Sequence, residues 1–261
     1  MPNPVMNQFG RAAGGGGNNV PSAVQLQKMY DQPAYTGPRP TQRYMTLDDV
    51  VQRTALMLAT VLAAGTIAWV AVPQHLYAPV LIVSLMAGLG LGLFMSFSMK
   101  VNAGTALVYS AAEGVLLGVI SHVFEQRFHG IVILAVAGTV MVAGGMLFVY
   151  KIGAIRVTPR FTRMVVGATI GVFGLMVVNL IAYLFTPNGL GLRSGGALAV
   201  IFSLVCIAIA AFNLVLDFDM IERGIRQGAP QKLAWYAAFG ITVTLIWLYI
   251  EILRLLGYAR R

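Results

Sequence analysis

Nine carboxylates are spread over 261 residues, and four of them interrupt long apolar stretches: Glu113 in YSAAEGVLLG, Asp217 and Asp219 in LVLDFDMIERG, and Glu251 in LIWLYIEILRLL. A carboxylate at the centre of a hydrocarbon layer costs about 3 kcal/mol or more unless it is paired, protonated or turned toward water. Acids in such places line ion paths, relay protons or hold gates. Each of the four also has a plainer reading. Glu113, midway along its stretch, either faces a bundle interior as a functional group or sits protonated and hydrogen-bonded to a neighbouring helix. Asp217 and Asp219 lie where an apolar stretch ends and can reach water directly. Glu251 has Arg254 three residues on, the spacing of a helix-face pair near an interface.

Other chemistry finds no foothold. The chain holds no HExxH, no GxSxG and no Cys/His cluster, so neither an enzyme, a metal site nor a cofactor is expected. Cys206 is the only cysteine, which rules out an intramolecular disulfide. His75, His122 and His129 fall near the ends of apolar stretches, where an interfacial histidine is the ordinary reading. The GLGLG run from Gly88 to Gly92 superficially echoes a phosphate loop, but it lies within an apolar stretch with no strand before it and no partner acid.

The elements that must carry the four acids follow from composition. Hydrophobic residues make up 58% of the chain and charged ones 10%, far below the roughly one quarter of soluble domains. Windows of about 20 mainly apolar residues, enough to cross roughly 30 Å of hydrocarbon, fall near 53–72, 78–99, 103–124, 131–150, 164–185, 197–216 and 235–256. The expected fold is an all-α integral membrane protein of seven transmembrane helices occupying residues 46–261. Thr46 in MTLDDVVQR caps the first helix, with two acids placed favourably for its dipole. Pro73, Pro79, Pro159, Pro187 and Pro230 lie at or beside span boundaries, where a missing N–H costs least. Gly88 with Gly92, Gly114 with Gly118, and Gly167 with Gly171 are each four apart and read as close helix contacts.

Six of the eleven prolines fall within residues 1–40, beside the run Gly14 to Gly17, so residues 1–45 read as a disordered tail. No apolar run follows a basic start there, and the first span is expected to direct insertion itself. Arg11, Lys28, Arg39, Arg43, Arg53, Lys100, Lys151, Arg156, Arg160, Arg163, Arg223, Arg226 and Lys232 fall on one side of the span map. Only Arg127, Arg193, Arg254, Arg260 and Arg261 fall on the other. The positive-inside rule then puts the tail in the cytoplasm and the C-terminus outside a cell membrane. Trp69, Tyr77, Tyr183 and Tyr258 would mark the outer interface, and Tyr150, Trp235 and Tyr236 the inner one. The net charge of +9 is distributed along one face of a membrane domain, which suits anionic lipid as partner and not nucleic acid.

DFDMIERG after an apolar span, then a closing span with LYIE and LRLL, resembles the Bax inhibitor-1 (transmembrane Bax inhibitor motif) family. The long polar tail, MTLDDVV and the EG-x-x-x-G of the third span resemble its actinobacterial branch. The resemblance covers about residues 46–256. It implies seven helices with the last wrapped by the other six, and a pH-sensitive calcium leak whose cytoplasmic mouth is latched by two acids. Asp217 matches the first acid of that latch and Glu251 the second. Two such carboxylates share a proton, and its loss brings repulsion that opens the gate. The 34 residues between them exceed the family's spacing, and a last helix beginning near Trp235 puts Glu251 about 24 Å along it. Either that helix starts later, or a non-titrating residue near Thr242 stands at the depth of Asp217. Ion-path candidates are thus Asp217, Glu251, Glu113 and Asp219, with calcium or protons as cargo. The alternative is a regulatory protein that binds another membrane complex, such as a membrane-anchored protease, through its tail.

Overall fold

The computed structural model describes residues 43–98, 101–186 and 189–260, with Ala23 and Gln27. The tail expected over residues 1–45 lies outside the described residues as far as Gln42, those two positions apart, and so does the expected boundary residue Pro187. Arg43–Arg261 form a compact unit. Its helices are α1 (Leu47–Ala71), α2 (Tyr77–Ser98), α3 (Ala103–Arg127), α4 (Ile131–Lys151), α5 (Pro159–Ala182), α6 (Ala197–Arg226) and α7 (Leu233–Ala259), with one 3-10 turn at Gln74–Leu76. All seven helices are long and apolar enough to cross a membrane. Among the described residues the extended backbone amounts to one bridge between Tyr44 and Pro230. The protein is an all-α, seven-span membrane protein.

Local sequence starts these helices. Thr46 and Asp49 cap each other's amides at the head of α1, at 3.1 and 3.2 Å. Asn102 and Thr105 do the same for α3. Thr158 accepts from Phe161 N at the head of α5, where Pro159 takes the first position and needs no partner for its missing N–H. Gly130, at φ 77°, turns the chain from α3 into α4, and the Glu125 carboxylate accepts from the half-buried amides of Gly130 and Val132.

Helices run past the expected apolar windows, and in α6 and α7 this bears on the acids. α6 runs on to Arg226, so Asp217 and Asp219 lie within it and not at its end. The polar extension is helical because Asp219 pairs with Arg223 and Glu222 with Arg226, each one turn on. α7 starts at Leu233, before Trp235, which places Glu251 about 27 Å along it at 1.5 Å per residue.

α7 is the central helix. It packs on α1, α3, α4 and α6, whereas the backbone of α2 approaches only α3 and that of α5 only α6. Its buried residues include Ala234, Phe239, Thr242, Ile246, Leu248, Glu251 and Leu253, which lie on all sides of the helix, as a surrounded helix requires. The outer helices turn side chains such as Val70, Phe97, Ile133 and Leu180 outward.

Glycines set the tightest approach, between α1 and α3. A Cβ on Gly118 would lie 2.9 Å from Gly65 Cα, and one on Gly114 3.0 Å from Val61 Cα. Gly92 faces the Tyr109 ring, and Gly88 receives the Glu113 carboxyl. The third expected pair behaves differently: Gly167 and Gly171 face open space, because α5 presents that side away from the bundle. Gly118→Ala should therefore destabilise the fold by about 1–3 kcal/mol through overpacking. Gly171→Ala should be neutral or stabilise by up to about 1 kcal/mol through helix propensity. Unfolding of the two variants side by side in detergent checks the contrast.

Candidate functional site

One stripe of α7 carries a run of polar side chains through the bundle. Gly240, Thr244, Trp247, Glu251, Arg254 and Tyr258 recur every three or four residues, which puts them on one helix face. Asp217 on α6 stands against the first part of this stripe. Its Oδ2 accepts from the Thr244 hydroxyl at 2.8 Å, and its Oδ1 lies against Gly240. Thr244 also bonds the Gly240 carbonyl, 3.1 Å away, which fixes its rotamer. Among the described residues no ion pair reaches Asp217. Beside it Asn213 donates to Thr169 of α5 at 2.8 Å and to Ile209 O at 2.9 Å, so the seam between α6 and α7 extends toward α5.

Further along α7, Trp247 packs its ring 5.4 Å from Phe173, and its Nε1 has no hydrogen-bond partner among the described residues. One turn beyond, Glu251 is 1% exposed. Its Oε1 accepts from Arg254 at 2.7 Å and from Arg193, in the loop between α5 and α6, at 3.4 Å. The helix-face pair with Arg254 is therefore present, joined by a second guanidinium from a distant part of the chain. Arg193 is held in turn by Met176 Sδ at 3.2 Å and by a bond from the Tyr258 hydroxyl to its carbonyl.

The structure does not bring Asp217 and Glu251 together. Thr244 and Glu251 are two turns apart on α7, about 10 Å along the axis, and each acid has its own partners. α7 neither begins late nor presents a second carboxylate to Asp217; a hydroxyl stands there, two residues from Thr242. Glu113 lies in a different interface, between α3 and α2, where the Tyr109 hydroxyl is its hydrogen-bond partner. Asp219 is occupied by Arg223. Met45 and Val50 pack with Ile221 and Ala234 near this end of α6, which ties the start of α1 to the α6–α7 turn. A cavity of about 830 Å³ walled by α1, α3, α4, α6 and α7 holds the Ser121–Tyr249 hydroxyl pair but none of the four acids. Among the described residues no three His, Cys, Asp or Glu side chains gather into a metal site.

Thr244 and Arg193 were not legible beforehand. Thr244 carries one signal, its spacing of seven from Glu251, which sets both on one face. Arg193 carries none, since it sits alone in a loop.

A family model described as Bax inhibitor 1 like matches residues 3–261. No curated protein matches the chain.

Because Thr244 supplies the one hydroxyl that meets Asp217, Thr244→Val should cost about 1–3 kcal/mol, the penalty for a buried polar group left unpaired. Thr244→Ser should retain most of the stability. Reversible unfolding of both variants in the same detergent provides the comparison.

Proposed function

We propose that this chain, which belongs to the Bax inhibitor 1 like family, is a cation leak, with calcium as its foremost cargo, whose path follows the seam between α6 and α7. The observation that carries this reading is Asp217: a carboxylate inside a seven-span bundle, met by a hydroxyl and, among the described residues, by no cationic side chain. A negative group so placed is costly in hydrocarbon and attracts a permeating cation. The basic end of the bundle, with Arg156, Arg160, Arg223 and Lys232, faces the cytoplasm by the positive-inside rule, which makes Asp217 the inner group of the path.

In this reading the gate departs from a two-carboxylate latch. Thr244 cannot share a proton as a second acid would, so the pH response comes from Asp217 alone. Its charge state sets both the attraction for a cation and the strength of the bond to Thr244. Glu113 stands outside the path, on the α2 side of α3.

Calcium uptake into proteoliposomes across a pH series tests this. Asp217→Asn should reduce uptake roughly tenfold, the equivalent of about 1.4 kcal/mol, and flatten its pH dependence. Glu113→Gln should leave both unchanged. Uptake by Asp217→Asn that matches the parent at every pH would remove the site from the mechanism.

A further inference from the structure

The far end of the same seam holds a charge cluster that the leak reading does not use. Two guanidiniums, Arg193 and Arg254, converge on Oε1 of Glu251, while Oε2 of that carboxylate is buried and has no hydrogen-bond partner among the described residues. The Glu251 side chain is 2% exposed, that of Arg193 25% and that of Arg254 20%. The acid is thus the innermost of the three, and the cluster carries one net positive charge.

The two arginines are not equivalent. Arg254 belongs to α7, three residues from Glu251, and travels with it. Arg193 belongs to the α5–α6 loop and comes from 58 residues away in sequence. It crosses the end of the seam, anchored to Met176 of α5 and to Tyr258 of α7. α5, which leads into that loop, is an edge helix whose backbone approaches only α6. Leu192 packs on the buried cluster of Val172, Phe202, Cys206 and Ile209 and so holds the loop backbone, and the part that can turn away without unpacking the centre is the Arg193 side chain, 25% exposed.

We propose that Arg193 is a plug that closes the far end of the α6–α7 seam, and that Glu251, once released from it, is the second carboxylate ligand for a divalent cation on the path. With the plug in place a cation meets two guanidiniums, 2.7 and 3.4 Å from Glu251 Oε1, against one carboxylate, and is repelled. Without it, Glu251 and Arg254 cancel, and the buried Oε2, which has no hydrogen-bond partner among the described residues, is left to bind a cation. This rests on the leak reading only for the cation; the closure itself does not depend on conduction.

Cys206 makes the closure measurable. It is the only cysteine of the chain and fully buried. It lies about 14 Å into α6 from Ala197, while Glu251 lies about 12 Å into α7 from the opposite terminus, Ala259. Its neighbours include Val172, Phe202, Leu192 and Trp247, and Glu251, Arg193 and Arg254 all act on it electrostatically.

The experiment labels Cys206 in nanodiscs with an uncharged hydrophilic methanethiosulfonate, whose entry reports opening and not charge, and follows adduct formation by intact mass, with Cys206→Ser as the blank. Calcium uptake is measured on the same proteins in proteoliposomes. Arg193→Gln should raise the labelling rate at least tenfold and raise uptake several-fold. Glu251→Gln should raise labelling equally, because the plug loses its partner, but should not raise uptake, because the ligand is lost. Arg193→Lys, which keeps the charge and is the mildest change for folding, should stay within about twofold of the parent in both. Labelling unchanged in both Arg193→Gln and Glu251→Gln overturns the plug. Raised uptake in Glu251→Gln equal to that in Arg193→Gln overturns the ligand role. Raised labelling with no uptake in any protein, parent included, upholds the plug and removes the leak instead.

Discussion

Hydrocarbon offers a backbone amide or a side-chain hydroxyl nothing to bond to, and every other feature of this protein answers to that constraint. Helices satisfy the backbone within each span. Many hydroxyls inside them bond back to a carbonyl one turn earlier, as Thr60, Thr66, Ser84, Thr139, Thr169 and Thr242 do. Charged groups cannot use that route, since a carboxylate has no proton to give. A carboxylate needs a donor, one turn away on its own helix as Glu251 finds Arg254, or on another element as Asp217 finds Thr244, and the second kind reports directly on how the helices are placed.

Association between spans cannot draw on the hydrophobic effect, because lipid is as apolar as the helix faces. Close approach replaces it. Gly65 on α1 meets Gly114 and Gly118 on α3 with backbone against backbone, and Gly88 leaves on α2 the space that the Glu113 carboxyl fills. The same small residues therefore pack the bundle and house one of its acids. Gly167 and Gly171 show the limit of the pattern: the spacing alone does not say whether another helix is there to approach.

α7 gains its role from being surrounded. A helix exposed on one side can turn its polar residues to water or interface, but α7 meets α1, α3, α4 and α6 and must find partners for its polar groups inside. Along one face Thr244 meets Asp217, and Glu251 meets Arg254 and Arg193, while Trp247 Nε1 has no partner among the described residues. The two acids of the resembling motif are thereby separated by two helical turns and stand in opposite electrostatic settings. Asp217 has a neutral partner, and Glu251 has more positive charge than it can balance. One seam thus has two ends of different character.

The residues by themselves determined the number and class of the spans, the caps at Thr46 and the first-turn position of Pro159, and which four acids had to be explained. All of these rest on local composition, on the length needed to cross hydrocarbon and on hydrogen bonds reaching three or four residues. They also pointed to the pair of Glu251 with Arg254, which is local for the same reason. The apolar window ends near residue 216 but α6 runs to Arg226, because such a window stops at the first charges while a helix continues as long as i,i+4 pairs support it, as Asp219 and Arg223 do. Only the tertiary structure decided that Asp217 meets Thr244, 27 residues away, and that Glu251 meets Arg193, 58 away. Those meetings depend on the rotation of each helix about its axis and on how far it slides along its neighbour. Apolar residues on every side of α7 leave both unspecified until the glycine contacts and the loops fix them.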